Sequence, residues 1–327
     1  MKHSFLLSIE EQLTESYPGL IQPFWQQHVQ QGQLLSHDQL TVAYAYVIHP
    51  HAIGSIVISS GRIEAYLKYK EVVFDLYQNG YSVFIHDHRG QGLSARMTAN
   101  PHMGYVDDFS DYIADLALFM QQVVMPNNPH QPNLLCHSMG SAIGALYCLT
   151  YPKDFKRAVF LAPMFGIRPA LPSWLAGLLL KSHFTFASLL GRQYDYFVGQ
   201  SNYVNHEFAK NRLTHSEVRY AIFRQEYQVA PQIQLGGITG HWLNAAAKAM
   251  DEIEHRAHEW QIPALAIQAG ADLVVDNIRQ TSVVAKLNAC QLQVISGAKH
   301  ELLMEQDKFR IPTLQGVLEF LAEDQLG

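Results

Sequence analysis

Residues 134–144 have the sequence LLCHSMGSAIG, and this stretch decides the fold. Pro132 and Asn133 precede a short apolar run, Ser138 lies between small or turn-tolerant residues, and residues 141–149 show an apolar helical pattern. The pattern predicts a strand, a sharp turn and a helix, with a serine hydroxyl at the apex. Such a turn can hold the serine in a strained conformation that exposes its oxygen above a sheet. The alternative is a serine in an ordinary strand-to-helix loop.

Two positions in this turn decide how well it fits the pattern G-x-S-x-G. Gly140 supplies the small residue that lets the helix pass close to the preceding strand. Cys136 stands where the pattern has its first glycine, so the match is close but incomplete. A small side chain could replace that glycine, and the rest of the chain must decide between the two interpretations of Ser138.

Length and composition indicate a globular protein with a large core. The chain has 327 residues, 48% of them hydrophobic, which suits one domain with an insertion or two domains. A formal net charge of −6 and a pI near 6.3 give no concentrated positive charge, so we expect no nucleic-acid partner. The cysteines at 136, 148 and 290 are too few for a cysteine-rich zinc site and favour a reducing compartment.

The sequence contains no segment typical of membrane targeting. Glu10 and Glu11 follow a few apolar residues before a secretory core could form, so we predict no signal peptide. The longest apolar run, residues 171–180, is about half the length that a membrane-spanning helix requires. We therefore expect a cytoplasmic protein without a transmembrane helix, either soluble or bound peripherally to the inner membrane.

Short apolar runs alternate with helical patterns along most of the chain. Outside the serine turn, the runs predicted as strands are residues 39–48, 55–60, 82–86, 157–163, 264–268 and 291–295. This alternation predicts an α/β fold in which helices flank a mostly parallel central sheet. The predicted parts are a helical N-terminal lead-in (1–36), a core in two segments (37–163 and 255–327) and a helical insert between them (164–254).

The helical insert interrupts the alternation and is rich in aromatic residues. Placed between the two halves of the sheet, it would lie over the carboxyl ends of the strands, where such sheets bind ligands. We therefore predict a lid, or cap; the alternative is a helical subdomain that only completes the fold. An apolar lid face containing Leu178 and Leu179 could rest on a membrane. Alternatively, these residues pack onto the sheet.

Three residues with the chemistry of a hydrolytic site follow predicted strands. Asp272 and His300 each lie on the loop after a strand, as Ser138 does. A serine hydroxyl is a weak nucleophile until an imidazole takes its proton, and the imidazole needs a carboxylate to fix its tautomer. Their joint placement predicts a catalytic triad of Ser138, Asp272 and His300. Asp276 and Glu301 are the competing candidates for the acid.

Acyl transfer also needs hydrogen-bond donors aimed at the developing oxyanion. One predicted donor is the backbone N–H of Met139, directly after the serine. The second is the backbone N–H of Arg62, because Gly61 and Arg62 follow the strand at 55–60. Two roles are open for the side chain of Arg62: it contacts a substrate, or it caps a helix.

Several further motifs accompany these residues. They are GRIE at 61–64, DHRGQGLS at 87–94, YVDDF at 105–109, HSMG at 137–140 and GAD at 270–272. With the order serine, aspartate, histidine, they resemble the monoacylglycerol lipase and lysophospholipase branch of the α/β-hydrolases. In the insert, LTHS at 213–216 and LGGITGHW at 235–242 are similar to bacterial lysophospholipases of the L2 type. The resemblance runs from about residue 39 to the C-terminus.

The resemblance implies an α/β-hydrolase fold and hydrolysis of a fatty acyl ester through an acyl-enzyme. The implied substrate is a small amphiphilic lipid with a polar head, a lysophospholipid. The chain departs from the family at Cys136 and at Ser60-Gly61, where the lipases have His-Gly. The alternatives are a monoacylglycerol lipase, another carboxylesterase or a peptidase of the same fold, or a non-catalytic binding protein that uses it.

The remaining motifs do not call for a metal or a cofactor. His86-x-His88 and His49-x-His51 have a spacing that could bind a metal, but the first belongs to the family pattern and the second to a turn. The glycines within residues 87–94 lack the spacing of a dinucleotide-binding loop. We expect no metal and no cofactor, and the sequence leaves the oligomeric state open.

Overall fold

Eight strands form one sheet in the computed structural model, which describes residues 5–128, 130–169, 173–189 and 194–323. They are β1 (Gln30–Leu35), β2 (Thr41–Val47), β3 (Gly54–Ser59), β4 (Tyr81–His86), β5 (Asn133–His137), β6 (Ala158–Leu161), β7 (Ala264–Ala269) and β8 (Cys290–Ile295). Their order across the sheet is β1-β2-β4-β3-β5-β6-β7-β8. Strand β2 is antiparallel to both neighbours, and the other pairs are parallel. The predicted fold class is confirmed.

Helices flank the sheet and complete the alternation expected of a parallel α/β fold. They are α1 (Leu13–Ser16), α2 (Gln22–His28), α3 (Lys70–Gln78), α4 (Phe109–Phe119), α5 (Met125–Asn127), α6 (Met139–Thr150), α7 (Ser173–Leu189), α8 (Glu217–Val229), α9 (Gly240–Arg256), α10 (Asn277–Val284) and α11 (Asp307–Ala322). Within the described ranges, none of these helices combines the length and the apolar character needed to cross a bilayer.

The core consists of two apolar layers on opposite faces of the sheet. Because side chains alternate along a strand, Leu134 and Cys136 of β5 face the layer that includes α4, α6 and α9. Leu135 faces the layer that includes α3 and α11. Every residue of β5 is buried, which explains why the strand preceding Ser138 is apolar from Leu134 to Cys136.

The N-terminal segment differs from the helical lead-in expected for residues 1–36. Its helices end at His28, and Gln30–Leu35 forms β1, which pairs with β2 from Gln30 opposite Tyr46 to Leu35 opposite Thr41. Most of β1 is exposed. An exposed edge strand does not need apolar side chains, because backbone hydrogen bonds to its partner strand hold it in the sheet. Its sequence therefore lacks the apolar pattern by which a strand is recognised.

The segment expected as an insert, residues 164–254, contains one helix that belongs to the core. The apolar side chains of α9 repeat at helical spacing, with Trp242, Ala245, Ala246, Ala249 and Met250 all buried in the same layer as α6. This apolar face explains why α9 packs in the core layer although it falls within residues 164–254.

Candidate active site

Ser138 lies at the junction of β5 and α6 in a strained backbone conformation. Its φ of 51° and ψ of −116° are rare for a residue with a side chain and cost about 1–3 kcal/mol. The Ser138 N–H donates to the carbonyl oxygen of Leu161 at 3.0 Å, and its own carbonyl accepts from the N–H of Met164 at 3.1 Å. These bonds to β6 and the loop after it hold the turn in place.

Two glycines of α6 allow the helix to pass this close to the sheet. A β-carbon on Gly140 would overlap the backbone carbonyl of Ser59 at the end of β3, so only glycine fits there. A β-carbon on Gly144 would overlap Sγ of Cys136. The absent side chain at Gly144 therefore provides the space that Cys136 occupies, which explains how the turn accommodates a cysteine at the position of the first glycine.

The three residues predicted as a triad lie in hydrogen-bonding contact. His300 Nε2 is 2.9 Å from Ser138 Oγ, and His300 Nδ1 is 2.7 Å from Asp272 Oδ2. Asp272 Oδ1 accepts hydrogen bonds from the backbone N–H groups of Val274 and Val275 at 2.7 and 3.2 Å. The carboxylate therefore holds the proton of the imidazole on Nδ1, which leaves Nε2 free to accept the serine proton.

The carboxyl group of Asp272 remains ionised in this setting. Burial alone would raise the pKa of Asp272, but its hydrogen bond with His300 and the two backbone donors lower that pKa below the ordinary value. The competing acids lie elsewhere: Asp276 caps α10 by accepting from the N–H of Ile278, and Glu301 pairs with Lys68 at 2.6 Å.

A buried cluster of charged side chains supports the site, and the sequence analysis missed it. Lys68 Nζ lies 2.8 Å from Glu64 Oε1 and 2.6 Å from Glu301 Oε2. His137 Nδ1 is 3.0 Å from Glu64 Oε1, and His137 Nε2 is 3.2 Å from the backbone oxygen of His300. The four-residue spacing of Glu64 and Lys68 was the one signal in the sequence, because the other members come from the end of β5 and from the loop after His300.

The charge of His137 explains its two hydrogen bonds. Burial alone would lower the pKa of His137, but the carboxylates of Glu64 and Glu301 raise it to about 9. The imidazolium donates through one nitrogen to Glu64 and through the other to the His300 carbonyl. Glu64, His137 and Glu301 also present three atoms that could ligate a metal. The ammonium group of Lys68 already lies against the carboxylates of Glu64 and Glu301. These two carboxylates therefore have a cationic partner from the protein itself.

The loop after β3 contains the second expected oxyanion donor. Gln91 Nε2 donates to the carbonyl oxygen of Gly61 at 2.8 Å, and the carboxylate of Glu64 accepts from the N–H of Gly61. Met139, the first residue of α6, has one of the backbone N–H groups that a helix leaves without an internal partner. The side chain of Arg62 extends to the insert, where Nη1 donates to the carbonyl oxygen of Gly236 at 3.0 Å.

A cavity of about 330 Å³ lies where this loop meets the insert. From the core, its lining includes the loop residues Arg62 and Glu64 and the residue after His300, Glu301. The other side of the lining comes from residues 199–237 of the insert. The insert thus encloses space directly beside the loops that carry the predicted site residues.

A family model described as serine aminopeptidase, S33, matches residues 50–307 of the chain. The chain belongs to the S33 serine aminopeptidase family. Membership of the S33 family makes the protein a hydrolase with the α/β-hydrolase fold and confirms the resemblance found in the sequence.

Relatives of this S33 protein include bacterial lysophospholipases. It is 36% identical over 310 residues to lysophospholipase L2 of Escherichia coli strain K12, a match that covers 92% of this chain and 90% of the relative. It is 31% identical over 301 residues to the probable lysophospholipase L2 of Haemophilus influenzae, covering 91% and 94%.

Solved structures share the S33 protein's fold at low sequence identity. A soluble variant of the Saccharomyces cerevisiae monoglyceride lipase superposes with a TM-score of 0.67 at 15% identity, covering 90% of this chain and 96% of the other. A carboxyl esterase from Bacillus coagulans superposes with a TM-score of 0.70 at 17% identity, covering 90% and 98%. At these identities the likeness concerns the fold.

Proposed function

We propose that this protein is a lysophospholipase that cleaves a fatty acyl ester with Ser138 as nucleophile, His300 as general base and Asp272 as the residue that orients His300. The observation that carries the proposal is the unbroken contact from Ser138 Oγ through the imidazole to Asp272. The strained turn at Ser138 adds support, because a nucleophilic serine in this fold is held in such a turn between a strand and a helix.

The proposed reaction proceeds in two steps. His300 Nε2 takes the proton of Ser138 as Oγ attacks the ester carbonyl, and the backbone N–H groups of Met139 and Arg62 donate to the oxyanion. The tetrahedral intermediate expels the head-group alcohol, which receives the proton from His300, and an acyl-enzyme remains. Water then attacks the acyl carbon with His300 as base again, and the fatty acid leaves.

The choice of a lysophospholipid over other esters is supported by the relatives. The two bacterial relatives described above each match more than nine-tenths of this chain, and one is named a lysophospholipase and the other a probable lysophospholipase. A monoacylglycerol lipase is the nearest alternative within the same mechanism.

An aminopeptidase activity, which the family name suggests, has less support from the charges of the cavity. A peptidase of this kind needs a free carboxylate to bind the substrate amine. The acidic residues of the described cavity lining are Glu64 and Glu301, and Lys68 pairs with both. No unpaired acidic anchor faces a substrate within that described lining.

We also propose that the insert before α9 acts as a lid and that the protein meets membranes peripherally through α7. The cavity between the insert and the Arg62 loop supports the first proposal. The exposed side chains of Leu178, Leu179 and Phe186 support the second, because a soluble helix rarely exposes several large apolar groups together. The three unpaired cysteines support a cytoplasmic location.

The proposed activity is tested by measuring products from matched substrates. Purified protein is incubated with lysophosphatidylcholine, with a monoacylglycerol of the same chain length and with an aminoacyl p-nitroanilide. We expect fatty acid release from the lysophospholipid at the highest kcat/KM, and none with Ser138→Ala. Faster hydrolysis of the monoacylglycerol or of the anilide would overturn the substrate assignment.

A further inference from the structure

Two arginine side chains in the cavity beside the Arg62 loop have no carboxylate partner. Arg62 and Arg224 both line this cavity. Within the described part of the chain, their side-chain hydrogen bonds go to uncharged groups, the carbonyl of Gly236 and the hydroxyl of Tyr203. Both guanidinium groups therefore keep unneutralised positive charge.

Arg62 holds its charge in a largely apolar setting. Its guanidinium carbon lies 5.6 Å from the ring centroid of Trp242. Burial lowers the pKa of Arg62 to about 10, because desolvation disfavours the charged form. A partly buried cation without a counter-ion costs free energy, which binding of an anion would offset.

Arg224 is held in place by a cluster of aromatic rings. Its guanidinium carbon lies 4.9 to 5.8 Å from the ring centroids of Tyr203, Tyr220, Phe223 and Tyr227. Of its five N–H donors, one on Nη1 reaches the Tyr203 hydroxyl at 3.1 Å, whereas Nε is buried without a hydrogen-bond partner. The stacked rings fix the guanidinium and leave donors for a ligand.

The other charges of the cavity lining cancel one another. Glu64 and Glu301 form ion pairs with Lys68, and Glu64 also accepts from the protonated His137. The two carboxylates are thus balanced by two cations. Unneutralised charge in the described lining comes from Arg62 and Arg224 and is positive, so the cavity suits an anion.

We propose that Arg224, together with the side chain of Arg62, binds the phosphodiester group of the lysophospholipid head. This inference rests on the proposed function and adds a head-group site to it. Guanidinium groups bind phosphate oxygens through paired, charge-assisted hydrogen bonds. Arg62 also carries an expected oxyanion donor on its backbone, and in a lysophospholipid the phosphate follows the ester by only a few bonds. One loop can therefore contact both groups.

The test compares selectivity between a charged and an uncharged lipid. Wild-type protein and Arg224→Gln are assayed with lysophosphatidylcholine and with a monoacylglycerol of the same chain length. The selectivity ratio is kcat/KM for lysophosphatidylcholine divided by kcat/KM for the monoacylglycerol. We expect this ratio to fall about tenfold or more in Arg224→Gln, through a higher KM for the phospholipid. Arg224→Lys, which keeps a charge, should recover part of the ratio.

Arg212 provides the matched control. It is an exposed arginine of the same insert and does not belong to the cavity lining. Arg212→Gln removes the same charge from the cap and should leave the ratio unchanged. An equal fall in Arg212→Gln and Arg224→Gln would overturn the proposal in favour of a general electrostatic effect.

A second measurement uses only the wild-type protein and so does not depend on how well a variant folds. Hydrolysis of a short p-nitrophenyl ester is measured with glycerophosphocholine, inorganic phosphate or glycerol as inhibitor. Competitive inhibition by glycerophosphocholine that exceeds inhibition by the other two supports a head-group site. Equal inhibition by inorganic phosphate would replace it with a general phosphate site, and equal inhibition by glycerol would overturn it.

The two proposals fail in different ways. If wild-type protein does not cleave lysophosphatidylcholine, the proposed function fails. If it does cleave this lipid but Arg224→Gln keeps the wild-type selectivity, the lysophospholipase activity stands and the head-group site is wrong.

Discussion

His137, the residue directly before Ser138, connects the serine turn to the loop that carries His300. Its ring donates to the carbonyl of His300 and to the carboxylate of Glu64. Glu64 also accepts a hydrogen bond from the N–H of Gly61. The ion pair of His137 and Glu64 therefore connects the serine turn, the Arg62 loop and the His300 loop. His137 therefore acts as a positioning residue for the site.

The protonation of His137 predicts a specific pH dependence of stability. Its pKa in the folded protein is about 9, above the ordinary 6.5. Its contribution is therefore fully present below about pH 6.5 and is lost as the pH rises through about 9. We expect the free-energy difference between wild type and His137→Gln in urea unfolding to shrink by about 3 kcal/mol from pH 6 to pH 10.

The exposed residue His51 gives the control for that experiment. His51 lies in a turn after β2 and, among the residues that the structure describes, has no buried ion pair to lose, so His51→Gln controls for the removal of a histidine as such. A difference between wild type and His137→Gln that stays constant over this pH range would contradict a charged His137.

The packing of α6 against β5 explains how the turn tolerates Cys136. The sulfur lies where a side chain at Gly144 would otherwise be, so the two positions share one volume. Gly144 on the helix after the serine thus supplies the space that a glycine at position 136 supplies in the pattern G-x-S-x-G.

This shared volume predicts a compensating pair of substitutions. Gly144→Ala should lower the free energy of unfolding by about 1–3 kcal/mol, because the new methyl group overlaps Sγ of Cys136. Adding Cys136→Ala removes the sulfur and should restore most of the loss, as measured by urea denaturation. Strictly additive effects of the two substitutions would show that the positions do not share this space.

Helix α7 exposes an apolar surface that fits peripheral membrane binding. Leu178 is 54% exposed, Leu179 43% and Phe186 64%. We expect Leu178→Asp with Leu179→Asp to weaken co-sedimentation with phosphatidylethanolamine and phosphatidylglycerol vesicles by about tenfold, since the change removes apolar contact and adds negative charge.

A matched control places the same charges on exposed apolar residues of other helices. Val229 and Ile278 are 75% and 80% exposed, and their replacement by aspartate should leave vesicle binding unchanged. Equal binding of both double variants, or no binding by wild type, would end the membrane hypothesis.

On the scale of the whole molecule, one helix of the insert is fixed to the core. Arg219 of α8 is buried and pairs with Glu71 of α3 and with Asp307 of α11, both at 2.9 Å. Breaking such a buried pair costs about 3–5 kcal/mol. Opening of the proposed lid should therefore involve the insert outside α8 and α9.

The sequence predicted the sheet and the three site residues because both depend on short-range patterns. Apolar runs marked most of the strands, and Asp272 and His300 lie on the loops after two of them. Long-range pairing was less visible. Strand β1 is polar, and it adopts the strand conformation because its backbone pairs with β2.

The charged cluster behind the site could not be predicted for the same reason. Glu64 and Glu301 lie on two loops and His137 at the end of β5, and these segments meet only after the sheet has formed. The cavity charge at Arg224 likewise depends on which carboxylates are already paired, and a sequence does not show those partners.

The most direct test of the central claim is mass spectrometry of the protein after treatment with a fluorophosphonate, which reacts with an activated serine. With Ser138 held against His300 Nε2, we expect a single adduct on Ser138 in the wild-type protein and none in Ser138→Ala. An unlabelled wild-type protein, or a label on another serine that persists in Ser138→Ala, would contradict the assignment of Ser138 as the nucleophile.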